Sequence, residues 1–184
     1  MKELKEKLFP TQNSLIRWLE TNYASKDSIW AIYYKKAANR GDLNYEKMVN
    51  ILLRYGWIDS LPNKIDDLKT KIRISPRSPK SMWSQKNKLT VAQLKKDGLM
   101  HHNGLRVVND AKKSGTWDGL NDAENLVVPA DLSRSLRSNR LTRRWNSQSK
   151  SYRKAHLGRL LFAKRRETRD KKIGEIIGEL KAKQ

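Results

Sequence analysis

KTKIRI, residues 69–74, sets Ile72 and Ile74 in alternation with basic residues. A period of two puts the apolar side chains on one face of an extended strand and scatters them around a helix. IWAIYYKK, residues 29–36, is too aromatic and β-branched for a helix and is closed by a turn at Asn39, Arg40 and Gly41. Between them, an extended piece from Ile58 to Ile65 precedes a polar turn at Asp66 and Asp67. These segments predict an α+β protein with a small three-stranded antiparallel sheet packed by helices.

The rest of the chain has helical spacing. Thr11 caps a helix bearing Leu15, Trp18 and Leu19, and Asn44 caps a second bearing Tyr45, Met48, Val49 and Leu52. Gly56 stands where a helix ends in a left-handed residue. Pro76 and Pro79 break the chain before helices from about Trp83 to Lys96 and Gly104 to Lys113. Pro129, in VVPADL, suits the first turn of a helix running from Ala130 to Ser138. Leu157, Leu160 and Leu161, then Ile173, Ile176, Ile177 and Leu180, mark later helix faces. We divide the chain into an α+β part, residues 1–128, and a basic helical part, residues 129–184.

Charge narrows the functional classes. The chain carries 40 Lys and Arg against 19 Asp and Glu, and residues 131–184 hold 17 of the basic and 5 of the acidic side chains. Attraction to polyanions is therefore centred on the C-terminal part. With no cysteine there is neither a disulfide nor a thiolate metal site. His101 and His102 are adjacent and diverge on a helix, and His156 is distant, so no metal site is expected. Glycine-rich nucleotide loops and nucleophile elbows are missing, which leaves no cofactor to expect and argues against an enzyme. Neither a signal peptide nor an apolar run of about eighteen residues is present, which points to the cytoplasm.

One grouping stands out. YGWIDS, residues 55–60, and RSPKSMWSQKN, residues 77–87, bring Trp57, Asp59, Arg77, Ser81, Trp83, Ser84 and Asn87 into a short span. An arginine beside a helix start favours a carboxylate or phosphate, so these seven form an expected pocket for an anion or peptide. Alternatively Asp59 pairs with Arg77 or Arg73, a serine caps the helix and both tryptophans are core. A third reading makes Asp59 a general base and Arg77 the holder of an anionic substrate. Downstream, residues 134–154 mix arginines with Trp145 and Tyr152, a composition suited to phosphates and bases. Arg143, Arg144, Arg165 and Arg166 are the expected nucleic-acid contacts. FAKRRETRDKKIGEIIGELKAKQ, residues 162–184, also reads as a solvated amphipathic face with pairs such as Glu167 and Lys171.

YGWIDS, PRSPKSMWSQKN, then Gly98, Gly104, Ala111, Gly115 and Trp117, then VPADL and AKRRETRDKKI, occur in an order that resembles the YdeI/OmpD-associated, or bacteriocin-protection, family. The resemblance runs from Phe9 onward. It implies an α+β part followed by a helical part, with Trp57, Asp59, Pro76, Arg77, Trp83, Ser84 and Asn87 at motif positions. It also implies a binding protein with no established reaction, associated with tolerance of bacteriocins and cationic antimicrobial peptides. Arg159 departs from the apolar or aromatic residue that relatives carry. A chain at +21 repels cationic peptides, so any protection is expected to act indirectly, through an anionic partner.

Overall fold

A computed structural model describes residues 4–182. The first three residues and the last two of the basic run lie outside the described residues. The chain divides into two compact units, residues 1–117 and 118–184. The expected division at 128/129 lies within the second.

The first unit is built on a sheet of strands β1 (Glu6–Leu8), β2 (Ile29–Tyr34), β3 (Trp57–Lys64) and β4 (Lys69–Pro76), in the order β1-β2-β4-β3. β2–β4 and β4–β3 are antiparallel, as expected. The expectation of three antiparallel strands is corrected by β1, a fourth strand lying parallel to β2 with Glu6 opposite Trp30. Its three exposed residues have no apolar alternation to announce them, and β2 supplies their pairing. Pro62 is tolerated because β3 is an edge strand, irregular between Asp59 and Pro62.

Helices α1 (Gln12–Asn22) and α2 (Tyr45–Tyr55) close a core containing Phe9, Leu15, Leu19, Met48, Leu52, Trp57 and Ile74. Thr11 and Asn44 cap them, the Asn44 Oδ1 accepting from the Lys47 amide at 2.9 Å. Gly56 ends α2 at φ +76°, the left-handed turn that sends the chain into β3.

Helices α3 (Gln85–Lys96) and α4 (His102–Lys113) pack on α2 around Leu53, Trp83, Val91, Leu94 and Val108. The approach of α4 to α2 depends on Gly104, where a Cβ would stand 2.1 Å from the Arg54 carbonyl oxygen.

The second unit is helical: α5 (Asn121–Glu124), α6 (Ala130–Ser138), α7 (Thr142–Ser147), α8 (Lys150–Phe162) and α9 (Arg166–Ala182). Leu132, Leu136, Trp145, Leu157, Leu160, Ile173, Ile176 and Leu180 form its core. Pro129 takes the N-cap position of α6, one residue before the expected first turn.

Candidate functional site

β4 ends at Pro76, opposite Trp57, and the Arg77 amide donates to the Gly56 carbonyl at 3.0 Å. This tie brings Arg77 beneath the turn that ends α2. Its side chain is only 6% exposed. The Nη2 donates to the Met82 carbonyl at 2.6 Å, and the guanidinium carbon lies 3.7 Å from the centroid of the Trp83 ring. Trp83 in turn packs against Trp117, with centroids 4.9 Å apart.

The Nε and Nη1 of Arg77 are buried without a hydrogen-bond partner. Each unmet donor costs about 1–3 kcal/mol of desolvation. Stacking on an indole face returns part of that cost and leaves the N–H edge unsatisfied. Burial is the main influence on the guanidinium and pulls its pKa down to about 10, with the Asp59 charge acting the other way. At neutral pH it remains a cation.

The guanidinium borders a cavity of about 130 Å³ lined also by Ser78, Pro79, Trp83, Arg106 and Asp110. Arg106 is exposed and donates to Asp110 Oδ2 at 3.2 Å and to Asn103 Oδ1 at 2.8 Å. Arg106 and Asp110 were missed in the sequence because an i,i+4 pair on a helix looks like ordinary surface pairing. Only the packing of α4 shows that it borders a buried arginine.

Asp59 occupies a different place. It accepts from the Tyr45 hydroxyl at 2.9 Å and lines a second cavity, of about 260 Å³, with Tyr45, Glu46, Ser84 and Asn87. Burial, then the bond to Asp59, raises the Tyr45 hydroxyl to about 12. Arg73 turns to the Ser28 hydroxyl instead, and Arg77 has no partner at Nε or Nη1. The expected internal pairing of Asp59 with either arginine is therefore absent among the described residues.

The seven grouped residues thus separate. Arg77 and Trp83 share one cavity, and Asp59, Ser84 and Asn87 share the other. Ser84 caps α3, its Oγ accepting from the Asn87 amide at 3.3 Å. Trp57 is core, with Nε1 donating to the Tyr23 carbonyl at 3.1 Å. Ser81 is half-buried in the turn after Ser78, its amide donating to the Ser78 carbonyl at 2.9 Å. Arg143 and Arg144 lie on α7, while Arg165 precedes α9 and Arg166 opens it, within 3.7 Å of Asp170.

No group of three or more His, Asp or Glu side chains among the described residues is arranged to hold a metal. No described helix is long and apolar enough to cross a membrane.

An α+β unit with a buried cation, followed by a basic helical unit, is the class these observations define. Residues 7–107 match the family model described as Domain of unknown function (DUF8412), and the chain belongs to that family. Residues 125–183 match the model described as Bacteriocin-protection, YdeI or OmpD-Associated, which bears out the resemblance for the helical unit. The motif residues from Trp57 to Asn87 fall within the first match and outside the residues matched to the second. No curated protein and no solved structure matches the chain.

Proposed function

We propose that the chain is a non-enzymatic binding protein, working in the cytoplasm, whose N-terminal unit holds a small oxyanion or the carboxylate of a peptide at Arg77. The observation that carries this reading is an arginine more than nine-tenths buried, bordering a cavity, with two of its nitrogen donors, Nε and Nη1, unmet. A carboxylate or phosphate oxygen satisfies such donors with charge-assisted bonds. Trp83 holds the guanidinium plane, and the Nη2 bond to Met82 fixes its orientation.

The cavity holds a group of only a few heavy atoms, so a larger partner would offer a terminal anionic group. The bacteriocin protection named in the C-terminal match would then be indirect, since a chain of net charge +21 repels cationic peptides.

Calorimetric titration with phosphate, sulfate, acetate and a short acidic peptide tests the site. At least one probe is expected to bind the unsubstituted protein and to lose tenfold or more in affinity with Arg77→Ala, while Arg106→Gln costs less. Equal binding by folded Arg77→Ala, or no binding of any probe by the unsubstituted chain, overturns the reading.

A further inference from the structure

Residues 132–166 carry 12 Lys and Arg and no Asp or Glu. The tertiary structure sorts these cations. Arg134 and Arg137 are exposed on α6, one turn apart and on the side away from the buried Leu132 and Leu136. The chain then turns at Arg140, φ +59°, and continues into α7, where Arg143 is exposed beside the buried Trp145.

Four arginines at a spacing of three residues thus stand on the solvent side of one α6–α7 segment, while Leu132, Leu136, Leu141 and Trp145 hold its other side in the core. Three acidic groups of this unit pair with other cations. Glu124 pairs with Lys154, Asp131 with Arg169 and Asp170 with Arg166. No ion pair engages the four among the described residues.

We infer that this arginine row binds nucleic acid by its phosphate backbone, without base readout. Charge alone would also suit an anionic membrane, but the residues between the arginines decide against it. Apart from the buried Leu136 and Leu141 they are Ser135, Ser138, Asn139 and Thr142, side chains that accompany arginine at phosphates. Binding at a lipid surface draws on exposed large apolar side chains inserted beside the cations. None stands on this segment; the exposed large apolar residues of the unit are Val127, ahead of α6, and Phe162, at the end of α8. The row adds Arg134, Arg137 and Arg140 to the expected Arg143 and gives no part to Arg166, which faces Asp170. This inference is independent of the anion site at Arg77.

The test is fluorescence anisotropy of the full chain with a labelled 20-base-pair duplex. One phosphate per arginine gives a logarithmic salt slope of about −3.6, so affinity should fall about a hundredfold between 50 and 200 mM salt. R134Q/R137Q/R140Q/R143Q should lose at least tenfold in affinity at 50 mM and flatten the slope, whereas the fourfold lysine variant keeps both. A variant neutralising four cations of the other unit, K86Q/K95Q/K96Q/K112Q, should lose much less. Equal losses from both glutamine sets mean that net charge alone is read, and overturn the proposal. So do an absence of duplex binding at 50 mM, and binding to phosphatidylserine vesicles in place of the duplex.

Discussion

Arg77 in the first unit and Arg169 in the second are both taken partly or wholly out of solvent, and they are treated in opposite ways. Arg169 has every nitrogen engaged: Nε and Nη2 donate to the two oxygens of Asp131, and Nη1 donates to the Leu160 carbonyl at 2.8 Å. Asp131 also accepts from the Leu132 amide at 2.9 Å. The result ties α6, α8 and α9 together. Arg77 is more deeply buried, yet it has one hydrogen bond and an indole face. A satisfied buried ion is a structural tie; an unsatisfied one is a stability cost that a ligand can offset.

The largest expected effect comes from breaking the satisfied member. Arg169→Ala removes the guanidinium bonds to Asp131 and to the Leu160 carbonyl, leaving them the Leu132 and Ala163 amides. Because both side chains keep some contact with solvent, the loss is about 2 kcal/mol rather than the larger figure for a fully buried pair. A fall of roughly 6 °C in the melting temperature is the measure. If Arg169→Ala melts like the unsubstituted protein, the contrast fails at its structural end.

Arg77→Met is a smaller and more diagnostic change. It removes a charge with two unmet donors while keeping the apolar stem, so stability should stay within about 1 kcal/mol of the unsubstituted chain, in either direction, as anion binding disappears. A loss of several kcal/mol in denaturant unfolding would place Arg77 with Arg169 as a structural group.

Acid titration should separate the two units by the smallest margin. Burial, reinforced by the charge of His102 and by Arg54 and opposed by Glu20, holds the His101 imidazole below its ordinary pKa. Its Nδ1 accepts from the Asn103 amide at 3.2 Å as the cap of α4, a bond that only the unprotonated nitrogen makes. Tyr23 and Tyr55 pack against the ring. The unfolded chain therefore takes up this proton first. The contribution is complete above about pH 6.5 and is lost as pH falls from there through the folded pKa.

Asp131 is held below the carboxylate range, chiefly by hydrogen bonds from Arg169. Its contribution persists down to about pH 4 and is lost only as pH falls further. Melting curves from pH 7 to 5 should show a decline that His101→Asn, which retains a cap acceptor, largely removes. An unchanged decline in that variant would assign it to other groups.

Much of the frame was legible because it is written in local chemistry. The caps at Thr11 and Asn44, the turn at Gly56 and the alternation of Ile72 and Ile74 each depend on neighbours a few residues away. β1 was not, because Glu6–Leu8 becomes a strand only by pairing with residues more than twenty positions on. The functional grouping was half legible. Arg77 and Trp83 are close enough in the chain to meet around a tight turn, whereas Asp59 was drawn to Tyr45, a residue of α2 that had served only as part of an apolar repeat.

The sequence alone determined the α+β order, the helix ends and the concentration of positive charge after residue 130, since periodicity, capping and composition act over short distances. Tertiary structure decided which cations find partners. Whether an arginine ends against a carboxylate, in water or beside a cavity depends on which helices pack next to it, and that is settled by the burial of distant apolar faces.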